Sequence, residues 1–156
     1  MDSIAKYKRA GYPALAIETY EDTRFAESVI ADFPDRDVYS IAATGGMKNL
    51  RESKVEDPAS NFSKAMAFVA QREDTFLLML DFQHIINNAQ AYRSLLDALT
   101  CCKARGSMIL LLAPAWQLPA ELQHEIPVLQ DPLPETKELA SALDVIVEAR
   151  KEAGKP

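Results

Sequence analysis

TFLLMLD, residues 75–81, is a stretch of strand length whose interior is wholly apolar and whose last residue is an acid. Its apolar residues neither alternate with polar ones nor continue far enough for a helix, so it reads as a strand buried on both faces. A second such run, SMILLLA at 107–113, follows a helical pattern over Ala89–Ala104. There Tyr92, Leu95, Leu96 and Leu99 form the buried stripe, Asn87 or Asn88 can cap the start, and Gly106 marks the stop. Two doubly buried strands joined by a helical crossover belong in one parallel sheet.

The pattern extends in both directions. Upstream, SIAKYKRA (3–10) suits a short helix ended by Gly11 and Pro13, and ALAIETY (14–20) is a strand that turns polar at Glu18. Asp22 is expected to cap a helix over TRFAESVIADF, whose Phe25, Val29, Ile30 and Phe33 share a face. DVYSIA (37–42) is the next strand, and the polar, charge-rich residues 44–61 are expected as a long loop or a short subdomain. Helical spacing returns from Phe62 to Gln71 through Phe62, Met66, Phe68 and Val69. Downstream, a helical turn is expected around Ala120–His124, a third strand-like run at IPVLQ (126–130), and a closing amphipathic helix over Glu135–Lys151. Strands alternate with helices, which specifies an α/β fold: a doubly wound, mainly parallel sheet with helices on both faces. Residues 1–150 read as a single α/β domain, and 151–156 as a tail or the start of a linker into a longer chain.

The composition is that of an ordinary globular domain, with 48% hydrophobic and 26% charged residues. A net charge of −6 works against broad contact with nucleic-acid phosphates, so nucleic acid is not an expected partner. Lys6, Lys8 and Arg9 read as a solvated helix face. Cys101 and Cys102 are adjacent on a helix, where a bond between them would be strained, and they lack partners at metal-ligand spacing. They read as reduced, helix-packed thiols, which fits a cytoplasmic location. MDSIAKYKRAGYP has no apolar core of signal-peptide length, and no apolar run approaches the ~18 residues of a membrane span, so no membrane partner is expected.

Few residues carry chemistry. An apolar strand ending in an acid, as at Asp81, can direct a carboxylate to Mg²⁺ at the edge of a parallel sheet. The matching phosphate cradle needs G-x-x-x-x-G-K-S/T after the first strand, where the absence of Cβ atoms lets backbone N–H groups approach. Here the first strand runs into Glu18-Thr19-Tyr20-Glu21-Asp22, whose acids repel phosphate. Thr44-Gly45-Gly46-Met47-Lys48 follows the second strand and has the wrong spacing. Phe82, next to Asp81, cannot polarise water, so Asp81 reads first as a cap or turn residue and second as a cofactor-binding carboxylate. Gln83 and His84 lie just beyond it. The two histidines, His84 and His124, belong to no nucleophile-activating set, and Glu121 and Glu125 beside His124 read as a solvated face. No catalytic residue and no metal site is expected. Trp116, in the Pro-bounded loop PAWQLP, is either a partner anchor or packed on its own loop.

From Thr75 to about Leu143 the chain resembles the AAA+ ATPases. FLLMLD resembles a Walker B strand, YRSLLDAL the helix after it, and SMILLLAPAWQLPAELQHEIPVLQDPLPETKELASAL the first-sensor strand with its P-x-x-L turn and following strand. KRAGYPALAIETYEDTRFAESVI and DVYSIAATGG resemble, more narrowly, the N-terminal domain of chloroplast- and cyanobacterial-type AAA ATPases. In that domain a glycine-free segment replaces the phosphate loop, ahead of a separate intact AAA+ module. Of the family's catalytic parts only Asp81 matches. Phe82 stands for the glutamate, and Ala113-Pro114 stands where a polar sensor belongs.

The resemblance therefore implies a P-loop NTPase-like, RecA-type domain without the P-loop. Its expected role is non-hydrolytic, in assembly, regulation or substrate engagement, with a C-terminal AAA+ module or sister subunits and an unknown protein substrate as partners. Tyr20, Phe82 and Trp116 are the candidate contact residues, and Arg93 and Arg105 the candidates for subunit contacts. No cofactor is expected. The alternatives are a weak Mg-ATP-binding domain using Asp81 and a free-standing adaptor that mimics an ATPase fold.

Overall fold

The computed structural model describes residues 2–58, 60–131 and 136–154. Along the chain lie α1 (Asp2–Arg9), β1 (Ala14–Glu18), α2 (Asp22–Asp32), β2 (Asp37–Ile41), β3 (Met47–Asn49), β4 (Lys54–Asp57), α3 (Phe62–Ala70) and β5 (Thr75–Leu80). A 3-10 turn (Phe82–His84), α4 (Ala89–Arg105), β6 (Met108–Ala113), β7 (Val128–Gln130) and α5 (Thr136–Glu152) follow. The strands form one sheet in the order β4-β3-β2-β5-β6-β1-β7, parallel from β2 through β7 and antiparallel at β3 and β4. This is the expected mainly parallel α/β sheet.

The doubly apolar runs lie at its centre. In register, Leu77, Leu78 and Met79 of β5 pair with Ile109, Leu110 and Leu111 of β6, all six wholly buried. Alternate residues feed two cores. Leu15, Ile17, Phe76, Leu78 and Leu110 meet one face with Ile4 of α1 and Phe25 and Val29 of α2. Leu77, Met79, Ile109 and Leu111 meet the other with α3, α4 and the segment leading to β7. Each Leu or Ile so buried contributes roughly 1.5–3 kcal/mol relative to exposure. Asn88 is the residue that caps α4, its Oδ1 accepting from the N–H groups of Gln90 and Ala91 at 3.0 and 3.1 Å. Gly106 ends that helix at φ +74, where a Cβ would press on the Asp74 carboxylate.

Several elements differ from expectation. Residues 44–61 are neither a loop nor a separate unit: β3 and β4 form an antiparallel hairpin that widens the sheet beyond β2. Gly46, at φ +70, lets the hairpin approach the Asp57-Pro58 backbone where a Cβ would collide. Asp22 is the first residue of α2, not its cap. Glu21 holds the cap position without a side-chain bond, and Asp22 Oδ1 accepts from Thr23 N–H at 2.8 Å. Residues 120–124 make isolated turns, closed by Leu122 N–H to Pro119 O and Ile126 N–H to Leu122 O, each 2.9 Å. Of the two thiols only Cys102 packs inside; Cys101 is exposed. Finally, α5 does not close the fold. Both sheet faces are already covered, and every residue from Ala140 to Gly154 is exposed, including Leu143, Val145, Ile146 and Val147.

Candidate functional site

The chain leaves β1 through α2 on one face of the sheet and leaves β6 through the 114–127 segment on the other. Because β1 and β6 are neighbours, their carboxyl ends form the switch point where open α/β sheets hold ligands. A pocket of about 200 Å³ opens there, lined by Thr19, Tyr20, Asp22, Asp81, Gln83 and Pro114 among others. That is below the roughly 300–1,000 Å³ usual for small-molecule sites.

The β1–α2 turn shapes this pocket with side chains. Thr19 Oγ1 accepts from Glu21 N–H at 3.0 Å and donates to Asp131 Oδ2 at 2.9 Å. Arg24 Nη2 reaches the same Asp131 oxygen at 2.6 Å while its Nε donates to Glu21 Oε2 at 2.7 Å. Thr19 N–H bonds Ala113 O, and Asp131 N–H bonds Glu18 O. The acid after β7 thus ties β7, β1 and α2 together beside the switch point. At the start of α2, where a phosphate would need free N–H groups, the N–H groups of Glu21 and Thr23 are occupied by Thr19 and Asp22.

Asp81 sits at the mouth, exposed, with φ +68 and no side-chain cap bond, so it is a turn residue rather than a capping one. Beside it, Gln83 Oε1 is buried without a hydrogen-bond partner, and Gln83 Nε2 lies 3.5 Å from His84 Nε2. A carboxylate and a carboxamide can hold a hydrogen-bond donor or a hydrated cation. They supply neither a nucleophile nor a base aimed at one. Among the described residues no cluster of three or more His, Cys, Asp or Glu could hold a metal.

The other expected contact residues separate. Tyr20 is 88% exposed at the rim and free to meet a partner. Phe82 is wholly buried, its ring 5.5 Å edge-to-face from Phe62, so it presents nothing to a partner: the 3-10 turn rotates it inward. Trp116 is 8% exposed, with its indole N–H donated to Ile17 O and Leu111 O, both at 3.2 Å. Its own N–H bonds Glu18 Oε1 at 3.2 Å. The ring belongs to the core cluster that also holds Ala14 and Ala16 of β1, so most of it is packed internally. Arg93 pairs with Asp97 one turn on at 3.2 Å. Arg105 lies at the opposite end of α4, exposed, its carbonyl accepting from Asp74 N–H. Only Tyr20 and Asp81 are therefore brought together. Thr19, Arg24 and Asp131 are absent from the sequence expectations; their one signal is that an acid directly after a parallel strand arrives at the switch edge.

A sheet with parallel order β2-β5-β6-β1-β7, helices on both faces and an acid at the exit of β5 defines a RecA-like α/β domain of the AAA+ class. The chain belongs to the family described as SpoVK-like AAA ATPase, N-terminal domain, which matches residues 1–131. Comparison with curated proteins gave no match. No helix among the described residues is long and apolar enough to cross a membrane.

Proposed function

We propose that this domain is a non-hydrolytic partner of an AAA+ ATPase, serving assembly, regulation or engagement of a protein substrate, with the nucleotide chemistry in a C-terminal AAA+ module or in sister subunits. The observation that carries the reading is the Thr19–Asp131–Arg24 network, which ties down with side chains the β1–α2 turn where a phosphate loop would lie. Glu21 and Asp22 add negative charge where phosphates would bind, and Phe82 is turned into the core beside Asp81. A reducing cytoplasmic setting belongs to the same proposal and is supported by two free thiols that could not bridge without strain.

Calorimetric titration with Mg-ATP at millimolar concentration tests it. The proposal expects no saturable heat. Saturable heat that Asp81→Asn removes would establish the alternative, a weak Mg-ATP site, which draws its support from the exposure of Asp81 at the pocket mouth. The adaptor alternative is tested by whether the reading frame continues past Pro156 into a G-x-x-x-x-G-K-T segment.

A further inference from the structure

Among the described residues the sheet has two edges without a strand neighbour, and they are protected differently. The β4 edge carries Lys54 and Glu56, charges that discourage pairing with another chain. The β7 edge, Val128-Leu129-Gln130, carries none. Ala16 N–H bonds Pro127 O and Asp131 N–H bonds Glu18 O, and with Ala16 in register with Val128, the odd-numbered backbone groups of this strand face β1. The N–H and C=O groups of Val128 and Gln130 therefore point outward, and neither has a backbone partner among the described residues.

A pocket of mixed polar and apolar lining adjoins that edge. Val128 is 45% exposed and shares a sheet face with its partner Ala16. On that face an open pocket of about 590 Å³ is lined by Trp116, Gln117, Leu118, Gln123, Ile126 and Val128. A strand added at the usual spacing of about 4.8 Å would set every second side chain over this pocket. The chain segment that leads into β7 is acidic. Residues 114–131 contain Glu121, Glu125 and Asp131 and no Lys or Arg, and with Asp131 engaged by Arg24, the exposed Glu121 and Glu125 face solvent.

We infer that β7 is a β-augmentation site for an extended basic segment of a partner protein, which pairs with the outward backbone of Val128 and Gln130 and places an apolar side chain beside Val128 and the exposed margins of Trp116 and Leu118. The inference rests on the partner-engagement part of the proposed function. Its test contains no nucleotide, so its failure leaves the non-hydrolytic reading standing.

The probe is a short fluorescein-labelled peptide alternating lysine and valine, titrated into the full chain by anisotropy. Controls are the glutamate–valine peptide and a lysine–valine peptide N-methylated at alternate amides. Saturable binding of the basic peptide is expected, weakened at least about tenfold by N-methylation. Val128→Pro should do the same, because proline is tolerated where a strand N–H faces solvent and so leaves the pairing with β1 intact. Glu121→Lys with Glu125→Lys should reverse the preference between the two peptides. On binding, the amide protons of Val128 and Gln130 should become protected from exchange while those of β4 do not change. Absence of binding, equal affinity for the acidic peptide, or binding indifferent to N-methylation and Val128→Pro would overturn the inference. So would concentration-dependent self-association lost in Val128→Pro, which would make a second copy the occupant.

Discussion

Asp131 Oδ2 accepts both the Thr19 hydroxyl, at 2.9 Å, and the Arg24 guanidinium, at 2.6 Å, bridging residues more than a hundred positions apart. The contact joins the exits of β1 and β7 to the first turn of α2, beside the switch point of the sheet. A side chain that is 94% buried and accepts two hydrogen bonds, one from a cation, is expected to matter for stability.

Asp131→Ala should therefore destabilise the domain by about 1–3 kcal/mol, the cost of leaving the buried Thr19 hydroxyl without its acceptor and of removing the charged partner of Arg24 Nη2. Thr19→Val, which leaves the Arg24 contact in place, should cost less. Urea unfolding of the two single variants and the double variant checks this. A double-mutant coupling near zero would mean that the pair is not a functional unit.

Trp116 is the sole tryptophan, so its environment can be read directly. Its emission should be blue-shifted and poorly quenched by acrylamide in the folded chain. Trp116→Phe should cost about 1 kcal/mol through loss of the N–H shared by Ile17 O and Leu111 O. A solvent-like spectrum would contradict the internal packing described for this ring.

Phe82 and Tyr20, both aromatic and close to Asp81, should behave oppositely. Phe82→Ala is expected to cost about 3–5 kcal/mol, and Tyr20→Ala to stay within about 0.5 kcal/mol. Chemical denaturation of the pair distinguishes a core ring from a surface one.

Burial pushes the Cys102 thiol up from 9.0 to about 12, with the neighbouring Cys101 adding to the shift. A raised folded-state value means that its contribution is complete below the unfolded value and fades as pH climbs towards the folded one. The stability advantage of the native chain over Cys102→Ala should accordingly shrink as pH rises above 9.0 towards about 12. Tyr39, also raised by burial, titrates in both proteins and drops out of the difference. At neutral pH, iodoacetamide should label Cys101 and spare Cys102 in the folded chain; equal labelling would contradict the burial.

The centre of the fold was legible in the sequence because it rests on local signals. TFLLMLD and SMILLLA are apolar at every position between their end residues, Asn88 precedes its helix, and Gly106 ends it. The β3–β4 hairpin was not, because three- and four-residue strands carrying Lys48, Lys54 and Glu56 resemble any charged loop until β2 offers them an edge. The amphipathic stripe of α5 was read correctly as a helix, but periodicity says which face is apolar and not whether anything covers it. At the site, the lack of a glycine cradle was visible in residues 18–22. What fills its place was not, since Thr19, Arg24 and Asp131 meet only after β7 is laid beside β1. The inward turn of Phe82 depended in the same way on the left-handed backbone at Asp81.

The most direct test of the central claim is the melting temperature with and without Mg-ATP. A site with a Kd near 1 mM, held at about 10 mM ligand, would stabilise the fold by about 1.4 kcal/mol and raise the melting temperature by about 3–6 °C. A non-hydrolytic domain whose β1–α2 turn is tied down by Asp131, Thr19 and Arg24 predicts no shift beyond that given by Mg²⁺ with inorganic phosphate. A shift of several degrees that is specific to Mg-ATP and lost in Asp81→Asn would contradict it.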